Sequence, residues 1–156
     1  MKEHVNSHET SCVDDCRLIS LVRHHHENGN LSVVESFNEL PFEIKRVYYL
    51  YDIPGGEERG SHSHHDCIEF IVAASGSFDV TLSDGVKEHT VTLNRPYMGL
   101  LVRQGIWRRL SNFSSGSVCL VIASEEYDAE DYVRSYEEFM ELTASKRRMR
   151  NVPSQT

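Results

Sequence analysis

A chain of 156 residues is long enough for one domain with a substantial core, and 39% apolar and 26% charged residues are those of an ordinary globular protein. The formal net charge of -8, from 24 acidic against 16 basic residues, excludes the broad basic face that nucleic-acid or membrane-surface binding requires, so an anionic ligand needs a local basic pocket. A polar N-terminus and apolar runs no longer than a strand, such as 118–123, predict a cytoplasmic protein with no membrane span.

In chain order, residues 1–16 lack an apolar stripe and read as a flexible leader. His4, His8, Cys12 and Cys16 within it recur every four residues, a spacing that would align them on a helix as a zinc site. Four cysteines are too few for a disulfide framework, and Cys67 and Cys119, inside apolar strand patterns, read as buried thiols. Arg17 to Val22 alternates and runs into the solvated loop Arg23-His24-His25-His26-Glu27-Asn28-Gly29-Asn30, whose three adjacent histidines cannot all face one metal from a strand. Leu31 to Glu35 reads as a strand, and Glu43 to Ile53 as a longer one. Arg46, Tyr48 and Leu50 share one face of it, and Val47, Tyr49 and Tyr51 the other.

The next stretch, Gly56 to Gly76, carries the chemistry. His62 and His64 point the same way from a strand, His65-Asp66 is polar enough for a short hairpin connection, and Glu69, Ile71 and Ala73 share a face of the following strand. One face then gathers two imidazoles and a carboxylate, a set suited either to a first-row divalent metal or to acid–base chemistry. Beyond it, Ser77 to Leu82 and Lys87 to Leu93 flank the turn Ser83-Asp84-Gly85 as a hairpin. Tyr97 to Val102, Ile106 to Leu110 and Ser117 to Ser124 complete roughly ten short strands, the pattern of an all-β sandwich or barrel. The period then changes. Asp128 as N-cap, Asp131 as first-turn acid, and Tyr132, Tyr136, Phe139 and Met140 at helical spacing predict one amphipathic C-terminal helix, its aromatic stripe serving packing. The domain is thus expected over 17–143, followed by a flexible, solvated tail over 144–156 that contains the basic run Lys146 to Arg150.

Gly56, His62-x-His64, Glu69 and Gly76 match the first motif of the cupin superfamily at every spacing. Downstream, Arg103-Gln104-Gly105-Ile106-Trp107-Arg108-Arg109-Leu110-Ser111-Asn112 aligns with the second motif, with Arg108 where many members have a fourth metal ligand. A guanidinium cannot ligate and repels a dication, so a metal-free barrel without cofactor is expected. Lys45 to Tyr51, Arg59-Gly60-x-His62-x-His64, Gly105-Ile106-Trp107-Arg108 and Ala123 to Arg134 together closely resemble the sugar nucleotide 3,4-ketoisomerases, over about residues 17–140.

The resemblance implies a cupin jelly-roll barrel with a C-terminal helix, assembled as a domain-swapped homodimer. It implies metal-independent conversion of dTDP-4-keto-6-deoxyglucose to a 3-keto sugar, in deoxyamino sugar synthesis. His62 and His64 are the expected proton carriers, with His64 as the C3 base and Tyr48 or Arg59 stabilising the enediolate. Arg46, Arg108 and Arg109 are candidates for the diphosphate and Trp107 for the base, with His65 and Glu69 also on the substrate side. Members usually have Gln where this chain has Glu69, and Asp-x-Arg-Gly-x-Leu where it has His26-Glu27-Asn28-Gly29-Asn30-Leu31. Two other readings stand beside this one: a metal-dependent cupin such as a dioxygenase, using His62, His64, Glu69 and His65, and a non-catalytic sugar-binding cupin.

Overall fold

The computed structural model describes residues 11–151. Its strands are β1 (Arg17–Ser20), β2 (His24–His26), β3 (Gly29–Leu31), β4 (Arg46–Leu50), β5 (Arg59–His64), β6 (Glu69–Ser75), β7 (Phe78–Ser83), β8 (Glu88–Leu93), β9 (Met98–Val102), β10 (Trp107–Ser111), β11 (Val118–Ala123) and β12 (Tyr132–Val133), and one helix follows, α1 (Tyr136–Arg150). Ten strands form two five-stranded sheets, in the orders β1-β9-β6-β11-β4 and β12-β5-β10-β7-β8, while β2 and β3 pair only with each other. The expected all-β jelly roll with a C-terminal helix is what the chain forms.

The strand pattern explains the layering. On β6, Ile71 and Ala73 face inward and meet Phe78, Val80, Leu82 and Leu110 of the opposite sheet. Phe70 and Val72, on the other face, are covered by Leu21, Leu40 and Phe42. A strand buried on both faces needs the continuous apolar run that 70–73 supplies. Gly99 on β9 is required here, because a Cβ at this position would overlap the Phe70 ring. At Gly76 the backbone is left-handed, φ +67°, and a Cβ would meet the Ser117 backbone at 2.9 Å, so the motif's closing glycine answers both to conformation and to space. On the outer face of the second sheet Trp107 and Val133 pack against Phe139 of α1.

Several boundaries differ from expectation. Residues 11–16 are not leader: Val13 to Asp15 form a 3-10 turn, Val13 is buried in the main core, and its N–H donates to Asp84 at 3.0 Å. Cys12 and Cys16 flank this turn, and His4 and His8 lie outside the described residues. The three histidines of 24–26 are a strand, exposed and paired with Gly29–Leu31 rather than looped. Pairing also stops sooner than propensity suggests, so Leu31 to Glu35 contributes only its first residue to a strand and Glu43 to Ile53 shortens to β4. The helix starts later and ends later than predicted. Asp128 caps a separate 3-10 turn, and Ser135 caps α1 by accepting the Glu138 N–H at 3.3 Å. Glu137 and Glu138 in the first turn and Arg147, Arg148 and Arg150 in the last complement the helix dipole and carry the helix into the expected tail.

Candidate active site

His62 and His64 lie on β5 and Glu69 on β6, but these strands do not pair with each other. β5 lies between β10 and β12, and β6 between β9 and β11. The His65-Asp66 link is therefore a crossing between sheets rather than a hairpin, and it sets the imidazoles opposite the carboxylate across the barrel interior. All three side chains are buried, Glu69 completely. His64 Nε2 lies 3.1 Å from His62 Nε2 and 3.2 Å from Glu69 Oε1, and His62 Nε2 lies 3.8 Å from the same oxygen.

Two further strands complete the cluster. Arg108 of β10 donates a short hydrogen bond from Nη1 to Glu69 Oε1 and another, 3.0 Å, from Nη2 to the Ile106 carbonyl. The Tyr48 hydroxyl of β4 donates a short bond to Glu69 Oε2. Burial disfavours the Glu69 anion, yet the Arg108 guanidinium and both imidazoles outweigh it and hold the carboxyl well below its usual range. Burial, then the Glu69 charge, pushes the Tyr48 phenol up, so it stays a proton donor. Burial also lowers His62 to about 4, against the opposing pull of Glu69 and with the added repulsion of Arg108. His62 is thus a neutral imidazole at neutral pH.

Behind His64 stands a residue that sequence reasoning missed. Asp131 Oδ2 lies 2.9 Å from His64 Nδ1, and the same carboxylate accepts the N–H groups of Asp66 at 2.8 Å and Cys67 at 3.3 Å. Its neighbour Tyr132, paired with His64 across β12 and β5, lies 4.4 Å from the His64 ring and 5.0 Å from the His62 ring. An acid three residues after an N-cap looks like a helix-start acid. The intervening strand pair β12–β5 instead delivers it to the imidazole.

A cavity of about 430 Å³ opens over His62, Glu69 and Arg108 of this cluster, lined also by Arg46, Tyr48 and Arg59, while His64 lies behind them and borders a neighbouring groove. Arg59 reaches it through a bulge. Arg108 pairs with His62 but Leu110 pairs with Arg59, so β5 carries one extra residue between them, next to Gly60 at φ +66°. Paired residues share a face, which turns Arg59 to the side of His62 and Leu110.

The remaining candidates lie elsewhere. Trp107 and Arg109 alternate with Arg108 and so face outward. Trp107 packs 5.5 Å from the Phe139 ring and Arg109 approaches Glu58 at 3.7 Å on the surface, so neither lines this cavity. His65 is exposed and lines a different groove, with Phe42, Gln104 and Leu142. Arg108, expected on the diphosphate, lines the cavity with Nη1 on Glu69 and Nη2 on the Ile106 carbonyl.

A jelly roll in which one sheet offers an imidazole pair to a carboxylate on the other is the architecture of the cupins. Residues 14–144 match the family described as FdtA: WxcM-like, C-terminal, and the chain belongs to it. The TDP-4-oxo-6-deoxy-alpha-D-glucose-3,4-oxoisomerase of Aneurinibacillus thermoaerophilus is 40% identical over 116 residues, 74% of this chain and 84% of that protein. Among solved structures, the WlaRB TDP-quinovose 3,4-ketoisomerase of Campylobacter jejuni matches with TM-score 0.79 at 40% identity, over 83% of this chain and 99% of that one. A mutant of the 3,4-ketoisomerase QdtA from Thermoanaerobacterium thermosaccharolyticum, in complex with TDP-4-keto-6-deoxyglucose, matches with TM-score 0.83 at 31% identity, over 86% and 97%. The family and enzyme class expected from the sequence are those found. Among the described residues, no helix is long and apolar enough to cross a membrane.

Proposed function

We propose that this chain isomerises TDP-4-keto-6-deoxyglucose to a 3-keto-6-deoxyhexose without a metal, using His64 as the base at C3. The observation that carries this reading is the contact of His64 with Asp131 on one side and with His62 and Glu69 on the other. Asp131 accepts a hydrogen bond from the Nδ1–H of His64 at 2.9 Å, which puts the ring's lone pair at Nε2, the atom 3.1 Å from His62 of the cavity wall. Removal of the acidic C3 proton gives an enediolate and a His64 imidazolium flanked by two carboxylates.

His62, 3.1 Å away, is the natural second carrier. Because burial makes its conjugate acid strong, a proton passed to it is readily delivered to C4. Tyr48 remains a phenol, and with Arg59 it supplies donors for the enediolate oxygens. The substrate in the QdtA complex, taken with 31% identity to this chain, supports the same sugar nucleotide here.

His62, His64 and Glu69 have ligand atoms close enough to hold a cation, all within 4.8 Å of one another. The Arg108 guanidinium on Glu69 disfavours that use, since it competes for the carboxylate and repels a dication. A homodimer is supported by the projecting β2–β3 hairpin and its flanks, where Val22, Leu31 and Val33 are exposed. Conversion of the 4-keto sugar nucleotide, followed by NMR in deuterated water after dialysis against chelator, tests the reading. Full activity with deuterium at C3 or C4 is expected. Activity restored only by added metal would overturn it in favour of the metal-dependent cupin.

A further inference from the structure

Cys67 is fully buried, and its thiol has no part in the chemistry above; its hydrogen bond is a weak one, 3.6 Å to the Ile68 carbonyl. It belongs, however, to a second set of donors. His64, Cys67 and Asp131 each offer one ligand atom within 4.8 Å of one another, and the edge of His64 that faces Asp131 is Nδ1, at 2.9 Å. This set differs from the His62–His64–Glu69 group in two ways. It uses the opposite edge of the His64 ring, and among the described residues its carboxylate pairs with no arginine: Asp131 accepts from His64 and from the backbone N–H groups of Asp66 and Cys67. Thiolate, imidazole and carboxylate are ordinary donors to zinc, and two donors of one tetrahedral ion stand about 3.5 Å apart, so small side-chain rotations close the set. A route leads to it as well. Asp131 lines a groove of about 570 Å³ in which Asp66, Glu125, Glu126 and Asp128 face a single lysine, Lys45, and this charge draws a divalent ion to the outer side of the set.

We propose that His64, Cys67 and Asp131 form an inhibitory zinc site, entered from the acidic groove and separate from the cavity over His62. Coordination needs the thiolate and the Nδ1 lone pair, so the thiol proton leaves to solvent and the neutral ring carries its one proton on Nε2. That is the atom on which the base needs its lone pair. Zinc therefore switches His64 off through its tautomer, while the cavity over His62 stays open to the sugar nucleotide. The inhibition rests on the isomerase reading above; the metal site does not.

Cobalt(II) titration of the full chain, followed by near-ultraviolet absorption, reads the site without reference to activity. A thiolate-to-cobalt charge-transfer band is expected in the wild type, removed by competing zinc, kept in Cys12→Ser and lost in Cys67→Ser. Cys67→Ala is the second variant if serine at this buried position unfolds the chain. A wild type without the band overturns the proposal, and so does a band that survives loss of the Cys67 thiol. With TDP-4-keto-6-deoxyglucose as substrate, zinc is expected to lower kcat with little change in KM, and Cys67→Ser to raise the zinc needed for half inhibition about tenfold or more. Equal zinc inhibition of wild type and Cys67→Ser overturns the inhibitory role. Wild-type protein that shows the cobalt band but fails to convert the sugar nucleotide in the presence of chelator overturns the isomerase reading and leaves the metal site standing.

Discussion

The Asp131 carboxylate and the His64 imidazole meet at 2.9 Å, and that carboxylate is itself held by two backbone N–H groups of the sheet-crossing link. An acceptor fixed in this way dictates the tautomer of the ring. Asp131→Asn presents an N–H to Nδ1 and drives the proton to Nε2, where the base needs its lone pair. The expected result is a kcat about a hundredfold or more below wild type with KM within a few-fold. Steady-state kinetics, with TDP affinity as a check on folding, measures it. Near-normal kcat would mean that another residue sets the base.

Arg108 and Glu69 form an ion pair in which both partners are almost fully buried. Removing either leaves the other uncompensated. Arg108→Ala and Glu69→Gln are each expected to cost about 3 to 5 kcal/mol, while Glu69→Gln with Arg108→Met recovers much of that loss. Chemical denaturation of the three variants reads this out. Additive losses in the double variant would show that the two side chains act independently.

Asp84 ties three segments together. Its carboxylate accepts N–H groups from Val13, Val86 and Lys87, and Arg147 of α1 donates to its carbonyl. Burial opposes the anion, but these donors prevail and lower Asp84 to about 2. A depressed carboxyl stabilises the fold above its unfolded pKa, near 3.8, and that contribution is lost as pH falls from there toward 2. Asp84→Asn is expected to lower the Tm at pH 7 by a few degrees and to flatten the acid limb of Tm against pH below about 4. An unchanged acid limb would place the acid sensitivity elsewhere.

His62 shifts stability in another window. Its lowered value, about 4, means that the unfolded chain binds a proton more readily below the ordinary 6.5, so stability falls as pH drops from 6.5 to 4. His62→Asn is expected to reduce that slope, measured by urea denaturation at pH 6.5, 5 and 4. An identical slope in the variant would assign it to another group.

Gly99→Ala forces a methyl group into the Phe70 ring. The expected cost is about 1 to 3 kcal/mol, relieved by Phe70→Leu in the same chain. Thermal denaturation of the single and double variants decides it, and a neutral Gly99→Ala would mean that β9 shifts freely.

The sequence made the jelly roll and the His62–His64–Glu69 triad legible, because strand alternation and fixed motif spacing both survive folding unchanged. It did not show that β5 and β6 belong to different sheets, since a short polar link looks the same whether its strands pair or cross. Asp131 was hidden for a related reason: only long-range pairing of β12 with β5 brings it to the site. Trp107 and Arg109 lie on the face of β10 away from the cavity. Adjacent residues on one strand cannot share the face of Arg108, and period two alone shows this.

The crossing between β5 and β6 ties catalysis to closure of the barrel. The imidazole pair, the carboxylate, the phenol and the guanidinium are delivered by β5, β6, β4 and β10, two strands from each sheet. Any slip between the sheets separates Glu69 from His64 before either sheet has lost a backbone hydrogen bond. Activity is therefore expected to fade ahead of the circular-dichroism transition on heating, so that the enzyme's working range is set by how tightly two layers stay in register rather than by how firmly each is woven.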